Sequence, residues 1–429
     1  MERYKRFLGA AAGCTLLCVL SACGDDDSGT GNPIPYAGDA ATPSGLMQAS
    51  DGNFYGTSTN GGLNSQGAFF KVTPAGAEKV LYSFVGGAGD GSNPEGVIQG
   101  KDGNFYGATG AGGIGSCPGG CGIIFKITPA GAESVLYFFT GGSDGGSPND
   151  LLLGSDGNFY GAAALGGSTN ASCNGQGCGV VFRLTPSGTL TTLYAFQGGL
   201  TDGAEAAYVI QGSDGNLYGN TVYGGSSDNG TVFQLTLGGV ETVLHSFAGQ
   251  NDGAIPFAPI TQHANGFLYG TTQYGGTYSN GTVFGISPSV AGNYAMLHAF
   301  AGTTTEGANP VATALVQGSD GALYGTTNSG GNPNCAGGCG TVFKITLGPV
   351  PVCPVGVTAC QPGVTSFSTL YLFGTGAGNV PPNPTSLIQG NDGNFYGTTS
   401  QGGGNGFGTV FKMTPAGETT VLYNFGTNP

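Results

Sequence analysis

Asn391-Asp392-Gly393-Asn394-Phe395-Tyr396-Gly397-Thr398-Thr399, continued by Gly408-Thr409-Val410-Phe411-Lys412-Met413-Thr414-Pro415-Ala416-Gly417 and then Thr420-Val421-Leu422-Tyr423-Asn424-Phe425, holds the fold in miniature. Asp392-Gly393 accepts the positive φ of a tight hairpin, so Ser386 to Gln389 pairs back onto Asn394 to Thr399. Pro415-Ala416-Gly417 marks a second short turn, between a strand over Gly408 to Thr414 and one over Thr420 to Phe425. The unit is a four-stranded antiparallel meander.

That unit occurs seven times. Its Tyr-Gly tyrosine recurs as Tyr55, Tyr106, Tyr160, Tyr218, Tyr269, Tyr324 and Tyr396, and each is preceded by an Asp-Gly or Asn-Gly hairpin such as Asp51-Gly52 or Asn265-Gly266. Two phenylalanines also recur: Phe70, Phe125, Phe182, Phe233, Phe284, Phe343 and Phe411 in the third strand, and Phe84, Phe139, Phe196, Phe247, Phe300, Phe373 and Phe425 in the fourth. In Val80-Leu81-Tyr82-Ser83-Phe84 both faces of the strand are apolar, so each sheet needs cover on both sides. A repeat that cannot bury its apolar surface alone belongs to a stacked or circular array. Four-stranded sheets packed face to face in a ring predict an all-β, seven-bladed β-propeller. An open β-solenoid is the alternative, although its coils usually need fewer residues per turn.

The 88 glycines among 429 residues exclude a helical protein, and they lack the every-third spacing of collagen. Recurrent Phe and Tyr positions argue against low-complexity disorder. Residues 1–22 read as an export signal: Arg3, Lys5 and Arg6 precede an apolar run from Phe7 to Leu20 that is short for a membrane span. Leu20-Ser21-Ala22-Cys23 resembles a bacterial lipoprotein signal box, which implies lipidation of Cys23. Residues 23–42 then read as that Cys and an acidic tether, and residues 43–429 as the propeller. Without Met1 to Ala22 the chain keeps 23 acids against 7 bases, a formal charge of −16. That charge opposes nucleic acid and anionic headgroups, so membrane contact is expected through the N-terminal lipid alone. Five bases, Lys71, Lys126, Arg183, Lys344 and Lys412, follow the third-strand Phe, one per repeat. They are expected to snorkel, or to pair across a hairpin with acids such as Glu78 and Glu133.

Outside the signal, eight cysteines form four close pairs: Cys117 with Cys121, Cys173 with Cys178, Cys335 with Cys339, and Cys353 with Cys360. The pairs sit apart and no His accompanies them, so disulfides are favoured over metal half-sites. No metal site is predicted and no cofactor is required, although a ring of carboxylates can accept Ca²⁺.

The phrase Asp-Gly-Asn-Phe-Tyr-Gly-Thr-Thr, then Gly-Gly, then Gly-Thr-Val-Phe-Lys-Met-Thr-Pro-Ala-Gly resembles the bacterial GloVer (Gloeo/Verruco-type) tandem repeat over residues 43 to 429. The resemblance implies a secreted protein and supplies no reaction. The cadence is distantly similar to the propellers of virginiamycin B lyase and of the gluconolactonase group. The chain has no Trp and no His-based counterpart of those sites, so their chemistry is not transferred.

In a meander, second-to-third loops and blade-to-blade links emerge at one end. From Gly-Gly to the Gly opening strand three takes five residues in repeats one, four, five and seven, but nine, twelve and nine in repeats two, three and six. Those three enlarged loops carry Cys117/Cys121, Cys173/Cys178 and Cys335/Cys339, which marks a candidate binding face. Cys353 and Cys360 fall in a third-to-fourth turn, at the opposite face. Links at the elaborated end carry Asp90, Asp144, Asp202, Asp252 and Glu306, read either as a ligand-binding ring or as turn residues closing their own backbone. His245 and His298 occupy a slot that is Tyr elsewhere, and His263 sits by a hairpin, so no catalytic residue is assigned. The favoured expectation is a monomeric, envelope-anchored propeller that binds a glycan or a protein through the disulfide face. The alternative is a polysaccharide lyase or hydrolase using carboxylates near the central pore.

Overall fold

The computed structural model describes residues 39–426, apart from 170–172, 174, 289–292, 311–313, 336, 349–362 and 375–381. Cys23, the signal and most of the tether lie outside the described residues, as do Cys353 and Cys360. The described residues form one compact unit. Within it stand seven four-stranded antiparallel sheets, each ordered as in the sequence, spanning 40–83, 91–138, 146–195, 203–246, 261–299, 316–372 and 384–424. This is a seven-bladed β-propeller. In blade one the strands are Ala40–Gln48, Phe54–Gly61, Ala68–Val72 and Glu78–Ser83. The first begins inside the stretch read as tether, because Thr42 N donates to Phe407 O of blade seven and anchors that segment.

First strands touch across the junctions of blades one to four, of six with seven and of seven with one, so they form the inner wall around the ring axis. They run Ala40–Gln48, Gly91–Gln99, Gly146–Leu153, Gly203–Gln211, Thr261–Gln262, Val316–Gln317 and Pro384–Gln389. Third strands are almost wholly buried.

The recurrent phenylalanines explain the contact between sheets. The fourth-strand Phe of each blade meets the third-strand Phe of the next edge to face: Phe84 with Phe125 at 5.1 Å, Phe196 with Phe233 at 5.1 Å, and across the closure Phe425 with Phe70 at 5.1 Å. Seven such pairs at ~0.5–1.5 kcal/mol each, beyond their area burial, run round the ring. The Tyr-Gly glycine exists for the same ring of aromatics. A Cβ on Gly219 would lie 2.6 Å from Phe233 Cζ, and one on Gly56 would lie 2.7 Å from Phe70 Cζ. Glycine is what lets the phenyl ring lie flat on the second strand.

Two further joints link successive blades. On the disulfide side, a left-handed residue in the inner strand donates its backbone N–H to the previous blade: Asn93 to Gln66 O, Ser147 to Cys121 O, Glu205 to Cys178 O, Ile255 to Asn229 O and Asn309 to Asn280 O. The following residue is Pro in all blades except the fourth, which has Ala206, and it packs on the Gly that opens the previous third strand, as Pro94 does on Gly67. Thr42 to Phe407 is the same joint, so the ring closes as it does at the five junctions above, and no strand is exchanged. On the opposite side, the Gln ending an inner strand accepts from the previous blade's first turn: Ser50 N to Gln99, Ser155 N to Gln211, Ser213 N to Gln262, Ala264 N to Gln317, Ser319 N to Gln389 and Asn391 N to Gln48. Leu153 occupies this position in blade three, so the belt lacks its member between blades two and three.

Candidate functional site

The predicted link acids are brought to separate junctions, each engaged by its own backbone. Asp90 accepts from Tyr82 OH at 2.9 Å, Val85 N at 2.7 Å and Gly91 N at 2.6 Å. Asp202 repeats the pattern with Tyr194, Gln197 N and Gly203 N, and Asp144 with Tyr137 and Thr140. Asp252 pairs with His245 at 3.1 Å and Glu306 with His298 at 2.7 Å, so the two histidines do fill the tyrosine slot. They stack flat on Tyr294 and Phe367 of the next blade, at 4.0 and 3.7 Å. These five acids act as turn caps.

Where the slot is Tyr, a second carboxyl often stands beside the cap. Glu133 faces Asp90, Glu241 faces Asp202 and Glu78 faces Asp39. Burial, reinforced by the neighbouring carboxylate, pushes Glu133 and Glu241 up to about 7 and Glu78 to about 8. The lysines pair with other acids than expected. Lys71, Lys126, Lys344 and Lys412 bind Asp51, Asp102, Asp320 and Asp392 of the Asp-Gly hairpins at 2.7–3.1 Å, and each lies over the repeat tyrosine. Glu78 is out of reach because it pairs with Val72 in the ladder, whereas Lys71 stands opposite Tyr55 and points towards the hairpin.

Disulfides Cys117–Cys121, Cys173–Cys178 and Cys335–Cys339 close the three enlarged loops. Cys121, Cys178 and Cys339 are fully buried, and the carbonyls of the first two receive the inter-blade bonds from Ser147 and Glu205. Each of those two bridges thus also fixes an acceptor at a blade joint. Around the same rim stand the exposed apolar residues Leu63, Val85, Ile114, Leu200 and Tyr278.

A second group of acids was not singled out from the sequence. The inner strands carry Glu95, Asp150 and Glu205, in three consecutive blades. Glu95 is the extra residue of a bulge, since Pro94 pairs with Thr109 and Gly96 with Ala108. Asn149-Asp150 spans the equivalent bulge in blade three and Ala207 in blade four, next to Tyr208. Bulges of this kind re-aim a side chain. A Cβ on Gly96 would meet Asp150 Oδ1 at 2.2 Å, so the Asp150 carboxyl lies against the strand that bears Glu95. Enclosure by the surrounding blades raises Glu95 to about 7, helped by the charge of Asp150, and raises Asp150 to about 6. It raises Tyr208 far above the usual phenol range, helped by Asp150 and Glu95. Glu205 is likewise raised to about 7 by burial. All four are half-buried. The available signal was internal: after the repeated Pro, where every other feature recurs, the seven units read Ser44-Gly45, Glu95-Gly96, Asn149-Asp150, Ala207-Tyr208, Phe257-Ala258, Val311-Ala312 and Thr385-Ser386.

At the opposite end, a shallow pocket of about 710 Å³ is lined by Ser155, Ile210, Gln211, Pro259 and Thr261. Among the described residues no three His, Cys, Asp or Glu gather to hold a metal ion, and no helix is long and apolar enough to cross a membrane.

A closed ring of seven meanders, with disulfide-braced loops at one rim and an acidic inner wall, defines a disulfide-bearing β-propeller. The chain belongs to the Gloeobacter/Verrucomicrobia repeat family, whose model matches residues 35–173, 169–350 and 265–429. No curated protein sequence matches it. Among solved structures it is similar to virginiamycin B lyase from Staphylococcus aureus, at 12% identity over 88% of this chain and 97% of that one, with a TM-score of 0.53. It is similar also to a streptogramin B lyase, at 14% identity over 85% and 92% with a TM-score of 0.50. A Bacteroides uniformis protein described as a 6-phosphogluconolactonase aligns at 13% identity over 89% and 95%, with a TM-score of 0.50. At these identities the likeness is one of fold.

Proposed function

We propose that this protein is an exported, Cys23-anchored monomer that binds an extracellular glycan or protein through its disulfide-bearing rim. The observation carrying this reading is the grouping of the three enlarged second-to-third loops and their disulfides at one end of the ring. Elaborated loops gathered at one rim of a rigid scaffold are the usual place for a contact site. The disulfides suit an oxidising compartment. A glycan array probed with the purified protein, with and without Ca²⁺, and a parallel capture of envelope proteins test the reading. Retention of a defined ligand, lost in a Leu63→Ser/Ile114→Ser/Leu200→Ser variant, is expected. Ligands retained equally by that variant would move the site away from the rim.

The coupled carboxyls Glu95 and Asp150 favour a second reading, acid–base cleavage of a polymer end within the ring. Mass spectrometry of the bound glycan after prolonged incubation separates the two: an unchanged mass supports binding, and a shortened product supports the enzyme.

A further inference from the structure

We propose that the inner wall of blades two to four is a subsite for a primary alkylammonium group. It goes beyond ligand capture at the rim and does not depend on what the rim binds.

Three observations carry it. First, the inner segments of the ring, from Ala40–Gln48 round to Pro384–Gln389, hold three acids and not one Lys, Arg or His. The titratable groups brought near one another are Glu95 from blade two, Asp150 from blade three and Tyr208 from blade four, whereas Glu205 of blade four lies beside Tyr223. Blades one, five and seven contribute none. The lysines that form ion pairs are committed to the Asp-Gly hairpins, away from the wall. Second, Asp150 Oδ1 has no accessible surface and no hydrogen-bond partner. A buried carboxylate oxygen left in this state costs free energy, which a cation on the same carboxyl offsets. Its neighbour Asn149 cannot help, because its amide is used on the carbonyls of Ala206 and Ala207. Third, the next wall positions are aromatic: Tyr208 and Phe257 lie edge to face at 6.0 Å.

Two carboxyls beside aromatic rings suit an organic ammonium, which takes a few charge-assisted hydrogen bonds and a π face. They suit a bare divalent cation poorly, since Ca²⁺ seeks six to eight oxygens and among the described residues no third metal-ligating side chain joins them. The ammonium stays charged well above neutral pH. Glu95 and Asp150 share protons near neutrality, so occupancy should grow as they ionise.

The test is calorimetric titration of the purified protein at pH 5 and pH 8 with two probes: 1,5-diaminopentane, and the capped peptide acetyl-Gly-Lys-Gly-amide. The expected result is binding of at least one probe, about tenfold or more tighter at pH 8, equivalent to ~1.4 kcal/mol. Preference for the diamine assigns a free polyamine, and preference for the peptide assigns a partner's lysine. Glu95→Gln/Asp150→Asn should abolish binding while the thermal transition persists. Tyr208→Ala, which keeps both carboxyls, should weaken binding and leave its pH dependence. The rim variant should bind the probes normally, so failure of the rim reading is distinguishable. Absence of binding by both probes at pH 8, undiminished binding by the double variant, or displacement of the probes by Ca²⁺ at a matched concentration would overturn the proposal.

Discussion

At the residue scale, the joint position preceding the repeated Pro is the most demanding in the chain. Seven residues there adopt φ between 47° and 60°: Thr42, Asn93, Ser147, Glu205, Ile255, Asn309 and Asn383. Asn tolerates this region, whereas a β-branched side chain pays for it, at about 1–2 kcal/mol for an ordinary L-residue. Ile255→Asn should therefore stabilise the protein by roughly 1 kcal/mol, net of some lost burial, and Asn93→Ile should destabilise it by ~1–2 kcal/mol. Chemical denaturation of both variants checks the pair, and shifts of equal sign would contradict the argument. Glu205 holds the same backbone conformation and is one of the acids of the inner wall, so strain and charge coincide in blade four.

At the element scale, blade contacts are both aromatic and protonic. Glu78, Glu133, Glu241, Glu95, Asp150 and Glu205 all have raised folded pKa values, between about 6 and 8. Each therefore contributes stability that is complete below the ordinary carboxyl range and is lost as pH rises through 6 to 8. Asp51, Asp102 and Asp392 work in the other direction. Against the desolvation of partial burial, bonds from the neighbouring Asn, Lys and Tyr hold them far below the usual range, so their contribution disappears only in strong acid. The melting temperature should peak near pH 4–6 and fall towards pH 8.5. A Glu78→Gln/Glu133→Gln/Glu241→Gln variant should flatten that fall, and a melting temperature rising steadily from pH 5 to 8.5 would refute the assignment. The disulfides make a local prediction. Closing a loop of five residues contributes ~2 kcal/mol in the simplest chain-entropy model. Cys117→Ser/Cys121→Ser should speed amide exchange around residues 114–122 and at Ser147 N, with the Phe125 strand still protected; a uniform increase over all blades would count against it.

The elements were legible because hairpins and aromatics repeat: a Gly needed under each phenyl ring and an Asp-Gly at each first turn leave marks at fixed spacing. Alternation alone could not give the partner of Lys71, since which hairpin a long side chain bends towards depends on the twist of three strands. The inner-wall acids were illegible for the opposite reason. Glu95 and Asp150 occupy bulges whose side chains have no periodic role in packing, and only the stacking of blade three on blade two brings them near one another.

At the scale of the whole molecule, closure is the informative feature. Blade seven meets blade one through Phe425 and Phe70, Thr42 and Phe407, and Asn391 and Gln48, the same three contacts used elsewhere. No terminal strand has a unique task. A circular permutant opened between Leu200 and Thr201, with the original ends joined by a flexible linker, should fold to a ring whose melting temperature lies within about 5 °C of the parent, a loss of roughly 1 kcal/mol or less. Failure to fold would point to a dependence on N-terminal contacts that the repeated joints do not predict.

Leu153 breaks the symmetry that closure preserves. With six glutamine clasps and one leucine, the junction of blades two and three is joined on the disulfide side by Ser147 and Cys121 and lacks its clasp on the other. The strands flanking that gap are the ones that carry Glu95 and Asp150, so the interruption of the clasp belt and the acidic stretch of the wall fall at the same junction.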